Sequence, residues 1–273
     1  MPALYVVATP IGNLEDISSR ALRILREVKL IAAEDTRKTK RLLTRYQIKT
    51  PMTSYHEHNK WSKMDYIFRC LEEGDVALVS EAGMPGIADP GYELIVAAIQ
   101  RGIPVIPIPG PSVVTTALAV SGLPAERFAY IGFLPHRCGE RRRLLESVAE
   151  ERGTIVALET PHRLLAALND IVSVLGDRKI AVCRELTKLH EEIFRGTVSQ
   201  AMEHFAEPRG EFALVIAGRK GKEPELTEEV EKRLYDMCLS GLSAREAVAR
   251  VASDTGLSKK ELYQVWLRLS KRS

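Results

Sequence analysis

The feature that most constrains this chain is an alternation of two patterns. Short, unbroken apolar runs at Leu4 to Ala8, Leu30 to Ala33, Val76 to Ser80 and Val105 to Ile108 are separated by amphipathic stretches long enough for helices. Apolar runs without polar interruption predict strands buried on both faces, and strand-helix alternation predicts a mostly parallel sheet. Ile17, Leu22, Leu25 and Val28 share one helical face behind a Ser18 or Ser19 cap, and Leu94, Ile95, Ala98 and Ile99 form a second stripe. The theme recurs with Ala129 to Phe133, Thr154 to Leu158, Lys179 to Cys183 and Phe212 to Ala217 as strands and Leu164 to Leu175 as a helix. Gly122 and Pro124, in the stretch from Ala117, mark a junction. Arg219 to Glu225 read as a polar linker. The expected fold is α/β: two α/β lobes, residues 1–117 and 118–221, with a ligand cleft between them, plus a helix-turn-helix-like tail over 222–273.

Composition narrows the function classes. With 273 residues and 45% hydrophobic content the chain can bury a sizeable core. A net charge of +3, from 39 basic and 36 acidic residues, is too balanced to imply a nucleic-acid partner, so local clustering has to carry that argument. The four cysteines include no C-x-x-C pair, which predicts reduced thiols and neither a zinc site nor a disulfide framework. No H-E-x-x-H spacing occurs, His56 and His58 around Glu57 read as exposed surface, and no metal is expected. No basic leader precedes an apolar segment and no apolar run approaches the ~18 residues of a membrane span, so a cytoplasmic chain without a membrane partner is expected.

Three loops leave the carboxyl ends of first-lobe strands, where open α/β sheets bind ligands. They are Thr9-Pro10-Ile11-Gly12-Asn13-Leu14, the stretch from Ser80 to Gly91, and Pro107-Ile108-Pro109-Gly110-Pro111-Ser112. None is a G-x-G-x-x-G phosphate cradle. The second loop carries three glycines, which let backbone approach a ligand, and offers Met84 or Ile87 to a flat apolar ring. The third opens a helix whose free N–H groups suit a carboxylate or ribose oxygen. Each alone also reads as an ordinary turn; together they predict one shared cleft. The second lobe adds Glu159-Thr160-Pro161-His162-Arg163 and Arg184-Glu185-Leu186-Thr187-Lys188, either substrate-facing groups or a structural ion-pair network.

Arg37, Lys38, Lys40, Arg41 and Arg45 fall on a helix without an acid among them, and Arg141, Arg142 and Arg143 form a second basic knot. A charge run by default reads as a solvated face, but two unbalanced clusters in a nearly neutral chain favour a phosphate-backbone partner, with Tyr55, His56 and Trp61 near enough in sequence to stack on unpaired bases. In the tail, Ser243 and Ser258 cap two helices around a Thr255-Gly256-Leu257 turn, with Leu262, Trp266 and Leu269 inward and Lys259, Lys260, Arg268, Lys271 and Arg272 displayed. That spacing fits a helix-turn-helix and equally a helical hairpin docked on the body or on a second subunit.

On these residues the sequence resembles the tetrapyrrole-methylase-like class of S-adenosylmethionine enzymes, and within it the ribosomal RNA small subunit methyltransferase I family. The matching segments run over essentially the whole chain: Thr9 to Leu14, Ala33 to Arg37, Ser80 to Gly91, Pro109 to Pro111, Gly132 to Pro135, Pro161 to Arg163, Arg184 to Lys188, Gly210 to Phe212 and the tail. Glu81 stands where the family commonly carries Asp. The resemblance implies 2′-O-methylation of a cytidine in the decoding region of 16S rRNA, with S-adenosylmethionine as cofactor, the small ribosomal subunit as substrate and a homodimer as enzyme. It implies cofactor contacts at Ile11, Ala82, Gly83, Met84, Ile87, Ser112, Val113, Leu158 or Glu159, and Leu186. A ribose hydroxyl is a poor nucleophile, and Asp35, Glu159, Glu185 and Lys188 are the candidate proton acceptors. Arg37, Lys38, Arg41, Arg141, Arg142, Lys259 and Lys260 are the candidate RNA contacts. The alternatives are a methylase of tetrapyrroles or other small molecules, and a noncatalytic nucleic-acid-binding regulator.

Overall fold

The computed structural model describes residues 2–87, 89–219 and 226–270. Ala88 of the Ser80 to Gly91 loop, residues 220–225 of the expected linker, and Lys271 and Arg272 lie outside them. The chain divides into Met1–Arg219, which holds two five-stranded sheets, and Lys220–Ser273, which is helical.

The first sheet contains β1 (Leu4–Val7), β2 (Leu30–Ala33), β3 (Met52–Ser54), β4 (Val76–Val79) and β5 (Val105–Ile108), in the order β3-β2-β4-β1-β5 with every pair parallel. Helices α1 (Ser19–Glu27), α2 (Thr36–Arg45), α3 (Lys60–Glu73) and α4 (Tyr92–Gln100) cover it. Successive strand residues face opposite sides. Val7, Ile31, Ala33, Ala77 and Val79 pack with Ala21, Ile24, Leu25, Leu42 and Leu43 of α1 and α2. Leu4, Leu30, Ala32, Val76 and Leu78 pack with Ile67, Phe68, Leu94 and Ala98 of α3 and α4. This two-sided burial is why the strands read as unbroken apolar runs. Val7 is in register with both Val79 and Ile108, and Ala33 with Val79, so the loops after β1, β2, β4 and β5 emerge side by side.

The chain crosses through α5 (Val113–Ser121) into β6 (Phe128–Phe133), α6 (Cys138–Ser147), β7 (Thr154–Glu159), α7 (Leu164–Leu175), β8 (Lys179–Arg184), β9 (Glu192–Thr197), α8 (Val198–His204) and β10 (Phe212–Ile216). The second sheet has the order β6-β7-β10-β8-β9. Alternation again separates its faces: Ile155, Ala157, Ile180, Val182, Leu214 and Ile216 meet α6, α7 and α8. Val156, Leu158, Ala181, Cys183, Ala213 and Val215 meet Val114, Ala117 and Leu118 of α5.

The helical unit comprises α9 (Glu228–Leu239), α10 (Ala244–Thr255) and α11 (Lys259–Ser270). Ser243 and Glu246 form a reciprocal capping box at the start of α10, and Gly256 ends it in the left-handed conformation at φ 75°. The Ser258 hydroxyl accepts from Glu261 N at 3.2 Å and begins α11, whose Leu262, Trp266 and Leu269 are buried.

Four expectations change. Parallel pairing holds throughout the first sheet, but in the second only β6 and β7 are parallel; β7-β10, β10-β8 and β8-β9 are antiparallel. Strands β3 and β9 went unpredicted because they are sheet edges, short or half-exposed, without an apolar run. The lobe crossing precedes α5, since Ala117 and Leu118 pack on the second sheet, so the Ala117 to Pro124 stretch lies inside the second lobe. Arg141 is not a displayed cation: it is 4% exposed, and its Nε donates to Asp170 at 2.7 Å, with Arg142 Nε 2.7 Å from the other oxygen. A carboxylate buried at 2% exposure has to be paired, and these two arginines neutralise it. Removing Asp170 strands the Arg141 charge in the core, so Asp170→Ala should destabilise the protein by about 3–5 kcal/mol in chemical denaturation, and Arg141→Met/Asp170→Leu should recover most of that loss.

Candidate functional site

The strand-end loops of both lobes surround one cavity of about 450 Å³. Its construction begins with backbone pairing. Thr9 N donates to Gly83 O at 2.9 Å and Gly83 N to Thr9 O at 3.0 Å, which ties the loop after β1 to the loop after β4. The Ser80 hydroxyl, itself buried, donates to Gly83 O at 3.2 Å. Gly83 has φ +81°, a left-handed conformation that side chains rarely adopt, so glycine is required there by the backbone.

The loop after β1 also meets the second lobe. Asn13 N donates to the Thr187 hydroxyl at 3.0 Å, and a Cβ on Gly12 would lie 2.6 Å from Lys188 Cγ and 2.7 Å from Leu186 O. Only glycine allows that approach. The turn it touches is strained, with Glu185 at φ 50° and Thr187 at φ 64°. It is held by a network: Glu185 Oε1 accepts from Lys188 Nζ and from Glu211 N, each at 2.9 Å, and Thr187 N donates to Glu191 Oε2 at 2.6 Å.

Ile11, Ala82, Gly83, Met84, Ile87, Ser112, Val113, Leu158 and Leu186, expected as cofactor contacts, all line this cavity. Ser112 begins α5 without a side-chain capping bond, which leaves its hydroxyl and the first N–H groups of the helix available to a ligand. Of the four expected proton acceptors only Glu159 lines the cavity. It is 1% exposed; Oε1 accepts from Thr160 N at 2.7 Å and pairs with Arg163 at 2.7 Å, while Oε2 has no partner among the described residues. Asp35 is spent elsewhere, capping α2 through Arg37 N at 2.8 Å and pairing with the Arg37 guanidinium, which holds its carboxyl below the usual range. Burial opposes the Lys188 charge, but its bonds to Glu185 and Glu211 outweigh it and hold the ammonium above its ordinary value. Burial likewise opposes ionisation of Glu185, and the Lys188 and Glu211 bonds bring it below its ordinary range.

Sequence reasoning missed Glu34, Asp89, Tyr130, Phe133 and Glu211 as cavity walls. Glu34 and Asp89 lay inside quoted segments without a role, and their signal was position directly after β2 and late in the loop after β4. Tyr130 and Phe133, three apart, should face opposite sides of a strand; the register shift between them in β6 turns both to the cavity. Gly132, at φ 71°, was the available cue. Burial and then the Glu34 charge push the Asp89 carboxyl up to about 6. Burial, reinforced by Asp35 and opposed by Lys38, raises Glu34. Among the described residues no three His, Cys, Asp or Glu side chains are grouped to hold a metal ion, and no helix is long and apolar enough to cross a membrane.

The basic candidates separate by environment. Arg37 and Arg41 on α2 are exposed, and Lys38, also exposed, pairs with Glu81. Arg142 keeps an exposed flank beside Asp170, and Lys259 and Lys260 are exposed on α11. Tyr55 is fully buried and has no face for a base, whereas Trp61 is exposed.

Residues 3–202 match the family model described as Tetrapyrrole (Corrin/Porphyrin) Methylases, and residues 224–270 match the RsmI C-terminal HTH domain. A ribosomal RNA small subunit methyltransferase I from Halalkalibacterium halodurans is 47% identical over 96% of this chain and 94% of its own length. The chain belongs to the ribosomal RNA small subunit methyltransferase I family. Another member, from Synechocystis, is 46% identical over 98% of this chain and 99% of its own. A uroporphyrin-III-C-methyltransferase from Thermus thermophilus superposes with TM-score 0.57 at 19% identity over 80% of this chain and 94% of its own. A diphthine synthase gives 0.61 at 16% over 79% and 90%. Both share the two-sheet fold of this chain.

The raised Asp89 carboxyl makes a stability prediction. Its folded value, about 6, lies above the ordinary 3.8, so its contribution favours the fold at low pH and is lost as pH rises through 6. Asp89→Asn should therefore leave the melting temperature nearly unchanged near pH 4, raise it progressively up to pH 6, and raise it by a constant amount above. A gain that is the same at every pH would contradict the burial of that charge.

Proposed function

We propose that this chain transfers a methyl group from S-adenosylmethionine to the ribose 2′-hydroxyl of a cytidine in the decoding region of 16S rRNA. In this reading it acts in the cytoplasm, as a homodimer, on the small ribosomal subunit. The observation that carries the reading is that all nine residues assigned to the cofactor by resemblance line a single cavity of about 450 Å³, within the roughly 300–1,000 Å³ usual for small-molecule sites. The fit has support in chemistry as well: Met84, Ile87, Leu158 and Leu186 offer apolar surface, and Ser112 with the free N–H groups of α5 offers donors.

When bound, S-adenosylmethionine supplies a sulfonium-activated methyl group. The chain's own task is to exclude water, hold the acceptor oxygen in line and take its proton. Lys188, held protonated, is unsuited to the last role, and Asp35 and Glu185 are engaged by Arg37 and Lys188. Glu159, with its unpartnered oxygen, is the proton acceptor in this reading. A tetrapyrrole acceptor is disfavoured, because a porphyrinoid acid needs only a few cations in one cleft, whereas Arg37, Lys38 and Arg41 on α2 and Lys259 and Lys260 on α11 are exposed basic clusters suited to an extended phosphate backbone.

Glu159→Gln should lower kcat with labelled S-adenosylmethionine and small subunits by about 10²-fold or more while its affinity for the cofactor, read by calorimetry, stays within a few-fold. Unchanged turnover would assign Glu159 to structure. Transfer to porphyrinoids in place of subunits would reverse the choice of substrate. For RNA contact by the tail, Lys259→Glu/Lys260→Glu should weaken subunit binding and flatten its log-log salt dependence by roughly one unit per lost phosphate contact, with cofactor affinity intact. If binding is untouched and deletion of 220–273 instead converts dimers to monomers in sedimentation, the tail serves oligomerisation.

A further inference from the structure

The charge of the cavity walls is unbalanced in a specific way. Of its five carboxylates, Glu81 pairs with Lys38, Glu159 with Arg163 and Glu211 with Lys188. Glu34 and Asp89 form no ion pair among the described residues; Glu34 Oε2 accepts only Glu81 N, at 2.9 Å. The groups facing this pair are Asp35 and Lys38 at the start of α2, His56 after β3, Ser80 after β4 and Tyr130 on β6. None brings a cation into contact. Two further buried atoms, Glu159 Oε2 and the Tyr130 hydroxyl, lack partners in the same cavity. Glu34 and Asp89 are half-buried and held only by neutral donors, Glu34 by Glu81 N and Asp89 by the Ser80 hydroxyl, and carboxylates so placed favour a ligand that brings positive charge.

We propose that the cavity reads charge: through Glu34 and Asp89 it holds the cationic methyl donor more tightly than the neutral thioether left after transfer, so that the reaction itself loosens the product. This rests on the cofactor reading above. Methyl transfer breaks the sulfur–methyl bond, leaves its electron pair on sulfur, forms the oxygen–methyl bond and passes the hydroxyl proton to the base. The nucleoside ligand thereby goes from one net positive charge to none. The amino-acid ammonium and carboxylate are common to both ligands, but the attraction of the sulfonium charge to Glu34 and Asp89 is gone.

The same pair supplies a signature that does not depend on turnover. A cation beside Asp89 stabilises its ionised form, so binding near pH 6 expels a proton; a neutral ligand expels none. The test is calorimetric titration of the full chain with S-adenosylmethionine, with sinefungin as a charged mimic that transfers nothing, and with S-adenosylhomocysteine, between pH 5 and pH 7 in buffers of different ionisation enthalpy. The ratio of S-adenosylmethionine to S-adenosylhomocysteine affinity should rise by roughly fivefold across that range, as one pKa unit of coupling at a group titrating near 6 gives. Sinefungin should follow the cation, and proton release should accompany only the two charged ligands. Asp89→Asn should flatten the ratio and abolish the release, and Glu34→Gln should move the midpoint to lower pH. Equal affinity for donor and product at every pH, without proton release, overturns the proposal while leaving the cofactor site in place. If none of the three ligands binds, the cofactor reading falls and this inference falls with it.

Discussion

The contact of the Thr9 to Asn13 loop with its two neighbours is the constraint on which the rest of the site depends. On one side its backbone pairs with Gly83, and on the other Gly12 lies against the Leu186 to Lys188 turn closely enough that no Cβ fits. These contacts bring together a loop from a parallel sheet and a turn from a mixed sheet, which have no strand in common. The cavity is what remains between them. Its walls are then set by register: β1, β4 and β5 end level, so the three loops open at the same height, and Glu159 and Arg184 both pair with Phe212, which fixes the depth of the second-lobe groups.

The turn that meets Gly12 has an energetic cost. Glu185 and Thr187 occupy left-handed backbone conformations that non-glycine residues avoid. The surrounding bonds from Lys188, Glu211 and Glu191 to that turn offset the strain. Residues first considered as reacting groups, Glu185 and Lys188, therefore have a sufficient structural reason to be where they are. The acidity of Glu34 and Asp89 is the opposite case: neutral donors, Glu81 N and the Ser80 hydroxyl, meet them but no cation pairs with them among the described residues, and a site whose function requires charge is where such a cost is retained.

The sequence made the first lobe legible because its strands are buried on both faces, and an apolar run of four can hardly be anything else there. The second lobe's alternation was equally visible, but pairing direction was not: β8 and β10 are as apolar as any parallel strand, and nothing local in Lys179 to Arg184 says which way its neighbour runs. Edge strands β3 and β9 lacked the signal altogether. Cavity residues on glycine-rich loops announced themselves through backbone demands, whereas Tyr130 and Phe133 depend on a one-residue slip in β6 that only pairing reveals. Arg141 shows the limit of charge runs as a guide. Three consecutive arginines look like a phosphate site, yet two of them pair with Asp170, Arg141 buried beside it and Arg142 on its other oxygen.

The central claim is that the cavity walled by the strand-end loops of both lobes is the S-adenosylmethionine site. It is tested most directly by calorimetric titration of the cofactor into the parent chain, Ser112→Trp and Gly83→Val, with circular dichroism establishing that each variant is folded. Ser112→Trp places bulk at the start of α5 without demanding an unusual backbone, and Gly83→Val does so at φ +81°. The account predicts one cofactor per chain for the parent and no measurable binding for either folded variant. Undiminished affinity in both would place the cofactor elsewhere and contradict it.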